Sequence, residues 1–355
     1  MSKELFKQLE QLKKKYKEAL PTVEDAGIIK FLPLNSPKLN YIFGGGLPLG
    51  KIIEVFGKES GGKTTFANYL GSEIQKRKDG GSPIVLFVDM EHAFNKKYAE
   101  VVGLDTSPEK FIIIRPVDGE EAFTIAEDLV KTGEIGLIIW DSVATTPTRA
   151  SIEDEFNKST FGGTARLMSS ALQKFNPTLS RTKTTMVLIN QVRAGMNKMP
   201  TYGPNEQTPG GKAIPFYASW RARISNGEEM KDKDEVIGNI IKIKNVKNKV
   251  GMPKRLAEID LYYNTGFNPN NEYLDFIIDL GLVERKGSWF DNEKWGLHVQ
   301  GREKLMDFFK QNQEVFNECK NTVNESFTKY TALDATIIED SEIGEDDYDG
   351  ETNEE

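Results

Sequence analysis

The chain is poor in the residues that build cross-links and metal centres. It carries one cysteine, Cys319, and two histidines. A single cysteine cannot form an internal disulfide, which fits a reducing compartment. A structural zinc site takes about four Cys or His ligands, so that class of function is set aside. Long apolar runs are missing too. Residues 84–88 and 137–140 are among the longest, and a membrane-crossing helix needs about 20 apolar residues. The opening MSKELFKQLEQLKKK has no apolar stretch after its charges and does not read as a secretory signal. The expectation is a cytoplasmic chain with no membrane partner.

Basic residues are also absent after Lys329, whereas 11 acids stand between Asp334 and Glu355. The net charge of −8 therefore comes from the end of the chain: the remainder has 46 bases against 43 acids, a balance of +3. Like charges repel and little apolar surface is available, so residues 331–355 read as an acidic disordered tail. Such a tail serves solubility, or acts as a mobile polyanion competing with nucleic acid for a basic site. The body has ordinary composition, with 38% hydrophobic and 28% charged residues in 355, enough for one large domain with smaller attachments.

Leu5, Leu9, Leu12, Tyr16 and Leu20 recur at steps of three and four, which predicts an amphipathic helix over 3–20, closed by Pro21. Its stripe must dock on this chain's core or on another subunit; spacing does not choose. Strands are predicted at 52–56, 84–88, 111–115, 137–140, 186–189, 218–224 and 240–246. Several are β-branched runs without polar alternation, as in strands buried on both faces. Helices at 64–78 and 119–131 separate the early ones, so the core is α/β with a mainly parallel sheet and an antiparallel extension at its later end. Two Gly/Pro/Asn-rich stretches, 152–163 and 193–212, interrupt it; long loops in compact domains tend to be functional or disordered. Residues 264–330 read as a small α/β module with an apolar helix at 273–280, a strand at 288–290 and a terminal helix.

Gly57-Lys58-Glu59-Ser60-Gly61-Gly62-Lys63-Thr64 matches the phosphate-binding loop in full, after one predicted strand and before a helix. Glycines let backbone amides turn inward around phosphate oxygens, and the helix N-terminus adds a favourable dipole. Lys63 is expected to reach the β- and γ-phosphates, and the Thr64 hydroxyl to hold Mg²⁺. Thr65 follows in the same turn. Asp141 ends an apolar strand about 80 residues later, where a carboxylate binds Mg²⁺ through water. Glu91 stands beyond another strand end, where a carboxylate orients and deprotonates an attacking water. His92 is read as a packing or hydrogen-bonding residue rather than a catalyst.

Beyond that loop, the chain resembles the RecA family of recombinases. The resemblance rests on Gly45-Gly46-Leu47-Pro48-Leu49-Gly50, Asp89-Met90-Glu91-His92-Ala93, Asp141-Ser142-Val143-Ala144, Ile189-Asn190-Gln191-Val192-Arg193, Phe216-Tyr217-Ala218-Ser219 and Val246-Lys247-Asn248-Lys249, in family order over about 30–290. It implies a RecA-like P-loop ATPase core with a twisted sheet (33–263), an N-terminal polymerisation element (1–32) and a small α/β C-terminal domain (264–330). It implies that ATP and Mg²⁺ bind at a subunit interface of a helical homo-oligomer. It makes Glu91 the general base, Tyr98 the residue stacking on adenine and Gln191 the γ-phosphate sensor. Lys247 and Lys249 reach a neighbour's γ-phosphate, with the logic of an arginine finger.

The same resemblance assigns single-stranded DNA to two loops, with Arg166, Ser169, Arg193, Met196, Lys198, Gly210, Gly211 and Lys212 as contacts, and homologous double-stranded DNA as the strand-exchange partner. Met196 or Met199 is a candidate wedge between stretched bases. Four departures stand out. The second loop is about two residues longer than the family's. Gln173 replaces an arginine near DNA, Asn95 replaces an acid near adenine, and Ser225 and Asn226 replace a basic pair of the duplex site, where Lys242 and Lys244 keep their charge. Three rivals share the core: a hexameric helicase, a recombination mediator with a degenerate ATP site, and an ATP-dependent regulator indifferent to DNA. The Val246–Lys249 pattern argues against the first, and complete Lys63, Thr64, Glu91 and Asp141 against the second.

Overall fold

The structure, a computed structural model, describes residues 2–15, 29–153, 162–194, 206–328 and 335–337. Helix α1 (Lys3–Lys15) precedes β1 (Ile29–Leu32), α2 (Pro37–Phe43) and β2 (Leu47–Pro48). Then come β3 (Ile52–Gly57), α3 (Lys63–Gln75), β4 (Val85–Asp89), α4 (Lys96–Val101), β5 (Phe111–Ile114), α5 (Gly119–Lys131) and β6 (Leu137–Asp141). They are followed by α6 (Arg149–Glu153), α7 (Gly163–Thr182), β7 (Thr185–Gln191), β8 (Arg193–Ala194), β9 (Glu206–Gln207) and α8 (Ala213–Tyr217). The core closes with β10 (Trp220–Asp232), β11 (Glu235–Asn248), β12 (Leu256–Tyr262) and β13 (Gly266–Phe267). A terminal module holds α9 (Pro269–Asp279), β14 (Glu284–Lys286), β15 (Trp289–Asn292), β16 (Leu297–Gln300), α10 (Arg302–Gln311) and α11 (Gln313–Thr328), and β17 (Ala335–Ile337) comes last.

One nine-stranded sheet organises the core, in the order β13-β12-β11-β10-β3-β7-β6-β4-β5. From β10 to β5 the neighbours run parallel; β10 to β13 are antiparallel. The apolar runs of β3, β4, β6 and β7 are buried on both faces because successive side chains alternate across the pleat, whereas β5, at the sheet edge, leaves Ile113 exposed. In β6, Leu137 and Ile139 join one core with Phe66 and Leu70 of α3, whereas Ile138 and Trp140 join the other with Phe123, Leu172 and Phe175. Strand order jumps between β3 and β7 and between β6 and β4, and the loops after these strands open at one sheet edge. Ligands of open α/β sheets bind at such an edge.

Local chemistry fixes the helix limits. Helix α5 has the predicted bounds, with Asp118 Oδ1 accepting from Glu121 N at 2.7 Å as its N-cap. Helix α3 stops at Gln75 rather than 78, since Arg77 turns to pair with Asp79. The terminal module has its own core around Tyr273, Ile277, Phe290, Leu305, Phe309 and Phe316. Its predicted single terminal helix is two helices, broken at Asn312, whose φ and ψ of −122° and 66° are not helical. Strand β12 was not anticipated from the sequence. Residues 16–20 of the predicted first helix lie outside the described residues. So does most of the tail, with one amendment to its reading as disordered throughout: β17 pairs in parallel with β1, Ala335 beside Ile29 and Ile337 beside Phe31. Its β-branched Thr336 and Ile337 suit a strand.

Helix α1 has no buried residue. Leu5 and Phe6 are 48% and 58% exposed, so its apolar stripe is not covered by the described residues of this chain.

Candidate active site

Strand β3 delivers residues 57–62 into a tight loop and α3 leaves it at Lys63. Two glycines are required by their surroundings. A Cβ on Gly57 would lie 2.1 Å from Ile224 O, and Gly62, at φ 87°, would meet Ile241 Cδ1 at 2.4 Å. The loop is thus pressed against β10 and β11. Lys63 is buried and its Nζ donates to Lys58 O across the loop at 2.6 Å. Burial lowers its pKa, partly opposed by Asp141, Glu91 and Glu59.

Thr64 Oγ1 donates to Asp141 Oδ2 at 2.8 Å, which joins the helix start to the end of β6. The two groups assigned to Mg²⁺ therefore meet. Hydroxyl and carboxylate oxygens are the hard ligands that this ion prefers. Burial raises the Asp141 carboxyl to about 6, with Glu91 and Asp89 adding repulsion. That is the electrostatic setting in which a cation is welcome.

Glu91 is exposed, yet it is aimed. Its Oε1 accepts from Ser142 Oγ at 2.6 Å and from Gln191 Nε2 at 3.3 Å. The loop beneath it is fixed at both ends: Met90 N and Glu91 N donate to Asp141 O at 2.8 and 3.1 Å, and Ala93 N donates to Asp89 Oδ1 at 3.0 Å. Glu91 and Gln191, assigned as base and sensor, thus touch each other beside Lys63 and Thr64. Ser142 belongs to the Asp141–Ala144 motif, and a hydroxyl one residue after the magnesium carboxylate is the sequence signal for this contact.

Lys58, Glu59 and Ser60 form the outer loop. A pocket of about 250 Å³ runs from Ser60–Thr65 to Tyr98, Asn226, Asn239, Leu261 and Tyr263. Tyr98 OH lies 3.1 Å from Thr65 Oγ1, so the tyrosine is tied to the phosphate helix. Tyr263, half exposed opposite it, is a second aromatic wall that the sequence reading missed.

Lys247 and Lys249 are not brought to this pocket. In register, Lys247 faces Arg221, which pairs with Glu54, three residues before Gly57. Its Nζ donates to the carbonyls of Pro215 and Ala218, and Lys249 Nζ to Phe216 O at 3.1 Å. Burial and the neighbouring Lys249 charge lower Lys247 to about 8.

The two interrupting loops leave the same sheet edge. Strand β8 pairs with β9, so Arg193 opposite Gln207 forms a short stem; Met196 and Lys198 lie outside the described residues. Buried Asn190 ties the stem down, its Nδ2 donating to Glu54 Oε1 and to Pro209 O, both at 2.9 Å, while its Oδ1 accepts from Gln191 N. A Cβ on Gly211 would lie 2.9 Å from Ala165 Cβ, so the glycine pair packs on the start of α7. Arg166, Ser169 and Gln173 share the exposed face of α7, and Lys212 is exposed nearby. Of the first loop, 154–161 lie outside the described residues, and α6 extends through Ile152 to Glu153.

With this geometry in place, family models give a consistent answer. The model for the RecA N-terminal domain matches residues 3–268 and that for the RecA C-terminal domain residues 271–328. The chain belongs to the RecA family. A "Protein RecA" from Ruminococcus albus is 41% identical over 305 residues, 86% of this chain and 74% of that one. Those from Chloroherpeton thalassium and Lactobacillus johnsonii are 39% and 38% identical, over 91% and 88% of this chain and 89% and 84% of theirs. This RecA-family chain is accordingly a DNA-dependent ATPase with a recombinase role in DNA recombination and repair, and it binds nucleotide. Among the described residues no helix is long and apolar enough to cross a membrane, and no His/Cys/Asp/Glu group suits a metal held by protein alone.

Proposed function

We propose that this chain binds ATP with Mg²⁺ between subunits of a helical filament on single-stranded DNA, and pairs that strand with a homologous duplex in the cytoplasm. One observation carries the reading. Lys63, Thr64, Asp141, Glu91 and Gln191 converge on one loop, whereas Lys247 and Lys249 lie outside it. A site complete for binding but short of cations for a γ-phosphate draws those cations from a neighbour. The uncovered stripe of α1 supports the same assembly, with residues 1–32 as its docking element, 33–263 together with the edge strand β13 as the ATPase core, and the remainder of 264–330 as the C-terminal domain.

In this mechanism Lys63 and the amides of the loop bind the phosphates. The Thr64 hydroxyl and Asp141 would hold Mg²⁺, which supplies charge neutralisation for the departing phosphate. Glu91, aimed by Ser142, takes a proton from water. Gln191 contacts both Glu91 and, through its neighbour Asn190, the stem of the second loop. Nucleotide state thereby reaches Arg193, Gly210, Gly211 and Lys212, which with Arg166 and Ser169 would track DNA phosphates without reading sequence. Lys242 is paired with Glu258 at 2.9 Å, so Lys244 is the better candidate for duplex. ATP hydrolysis measured with and without unstructured single-stranded DNA, beside Lys63→Ala, tests the reading. Strong stimulation, lost in the variant, supports it. Hydrolysis indifferent to DNA favours the regulator.

A further inference from the structure

The phosphate loop is held from outside by a chain of two side-chain amides. Asn239 Nδ2 donates to Asn226 Oδ1 at 2.9 Å, and Asn226 Nδ2 donates to Ser60 O at 3.0 Å. Ser60 sits at φ 57°, the left-handed region that a residue with a Cβ enters only at some cost. That conformation belongs to the turn that sends the loop's amides inward. The two asparagines come from opposite strands of the β10–β11 hairpin. From the Ala222–Asn245 pair the ladder is regular down to Asn226–Ile241, shifts after Asn226, and resumes at Glu229–Asn239. The irregularity leaves Asn226 beside the loop, and Asn239 is 7% exposed behind it.

We infer that Asn226 and Asn239 are positioning residues of the nucleotide site. They fix the Ser60 carbonyl, and so hold the loop in its phosphate-receiving form before nucleotide arrives. Each does a job that few side chains can do. Asn226 must accept from Asn239 and donate to Ser60 at once, which an amide does and a lysine or arginine, having no acceptor, does not. Asn239 also borders the pocket, but its side-chain amide donates to Asn226, and in this relay it acts through that bond. A loop already set for phosphate binds it without first ordering backbone, so the relay acts on affinity rather than on the chemical step.

The inference rests on the reading of this loop as the ATP site. The measurement is a double-mutant cycle on the full chain, Asn226→Ala, Asn239→Ala and both together. KM and kcat are taken from DNA-stimulated ATP hydrolysis, and the Kd for MgADP from calorimetry. One neutral hydrogen bond lost corresponds to about a three- to tenfold rise in KM and Kd, with kcat within about twofold. The double variant should be no worse than the worse single one, because breaking either link empties the relay. Unchanged affinity in the single variants overturns the inference. So does a fall in kcat at constant KM. Effects that multiply also overturn it, because each amide would then meet the nucleotide independently. Should Asn239→Ala fail to fold, Asn239→Ser keeps a polar atom at the buried position but is too short to reach Asn226, and the same outcomes apply. Parent protein that binds neither ATP nor MgADP ends the ATP reading itself; parent binding with unaltered variants ends the relay alone.

Discussion

Ser142→Ala asks how Glu91 is aimed. Glu91 projects from the loop after β4 and is exposed, so packing does not orient its carboxylate. Two donors do: Ser142 Oγ at 2.6 Å and Gln191 Nε2 at 3.3 Å, both on Oε1. Ser142 is fully buried and its own Oγ lies 3.1 Å from Thr145 Oγ1, so the hydroxyl is held on its far side. The alanine variant removes the shorter bond and leaves the longer. Hydrogen bonds to charged groups contribute about 1.5–3 kcal/mol. Solvent shares this carboxylate, so the lower end applies, and about 1.5 kcal/mol corresponds to roughly a tenfold loss in rate. Ser142 does not line the nucleotide pocket, so the loss should fall on kcat, with KM for ATP within about twofold. Steady-state hydrolysis at saturating single-stranded DNA, with MgADP affinity as control, reads both. An unchanged kcat, or a raised KM at constant kcat, would refute the role given to Ser142 and weaken the assignment of Glu91.

Glu91→Gln should retain ATP-dependent filaments on single-stranded DNA while turnover falls by about 10²–10⁴; electron microscopy beside the hydrolysis assay checks both. Glu272 is buried between α2 and the terminal module, with Ser36 Oγ and Lys38 N donating to its Oε2 at 2.6 and 3.1 Å, and burial raises its carboxyl to about 7. Raised above the ordinary value of 4.5, it keeps its proton in the native state after the unfolded chain has lost it, so thermal stability should fall as pH rises from about 4.5 to 7. That slope should flatten in Glu272→Gln, read from melting at pH 5 and pH 8. Cys319 is 1% exposed and burial pushes its thiol up to about 11, so alkylation at pH 8 should be at least about 100-fold slower in native protein than in denatured protein. Mass spectrometry after timed iodoacetamide treatment gives the ratio.

Much of this architecture was legible in residue order. The apolar runs of β3, β4, β6 and β7 announce strands buried on both faces because they lack polar alternation, and Asp118 with Lys131 brackets α5 as cap and last turn. The phosphate loop is legible because glycine is required wherever backbone crowds backbone, as at Gly57 against Ile224. Less legible were features that depend on contacts distant in sequence. Strand β12 alternates apolar and polar residues from Ala257 to Leu261, a strand signature that the reading of the later core passed over, and its place is fixed by pairing with β11. Tyr263 carries no signal until α3 and β12 are brought together, and the hydroxyl after Asp141 gains a partner in Glu91 only when β4 and β6 meet. The amide at 226 reads as a lost positive charge along the chain, and only the hairpin's shift shows it facing the phosphate loop. Lys247 and Lys249 illustrate the converse: their role comes from resemblance, and within one chain they only cap the carbonyls of residues 215–218.

The account stands most directly on homologous pairing. Full-length protein, single-stranded DNA and a supercoiled duplex are mixed with MgATP or a slowly hydrolysed ATP analogue, and joint molecules are resolved on a gel. Joint molecules are expected that require homology, form with either nucleotide and vanish in Lys63→Ala. Unwinding of duplex without regard to homology, and only with ATP, would contradict it.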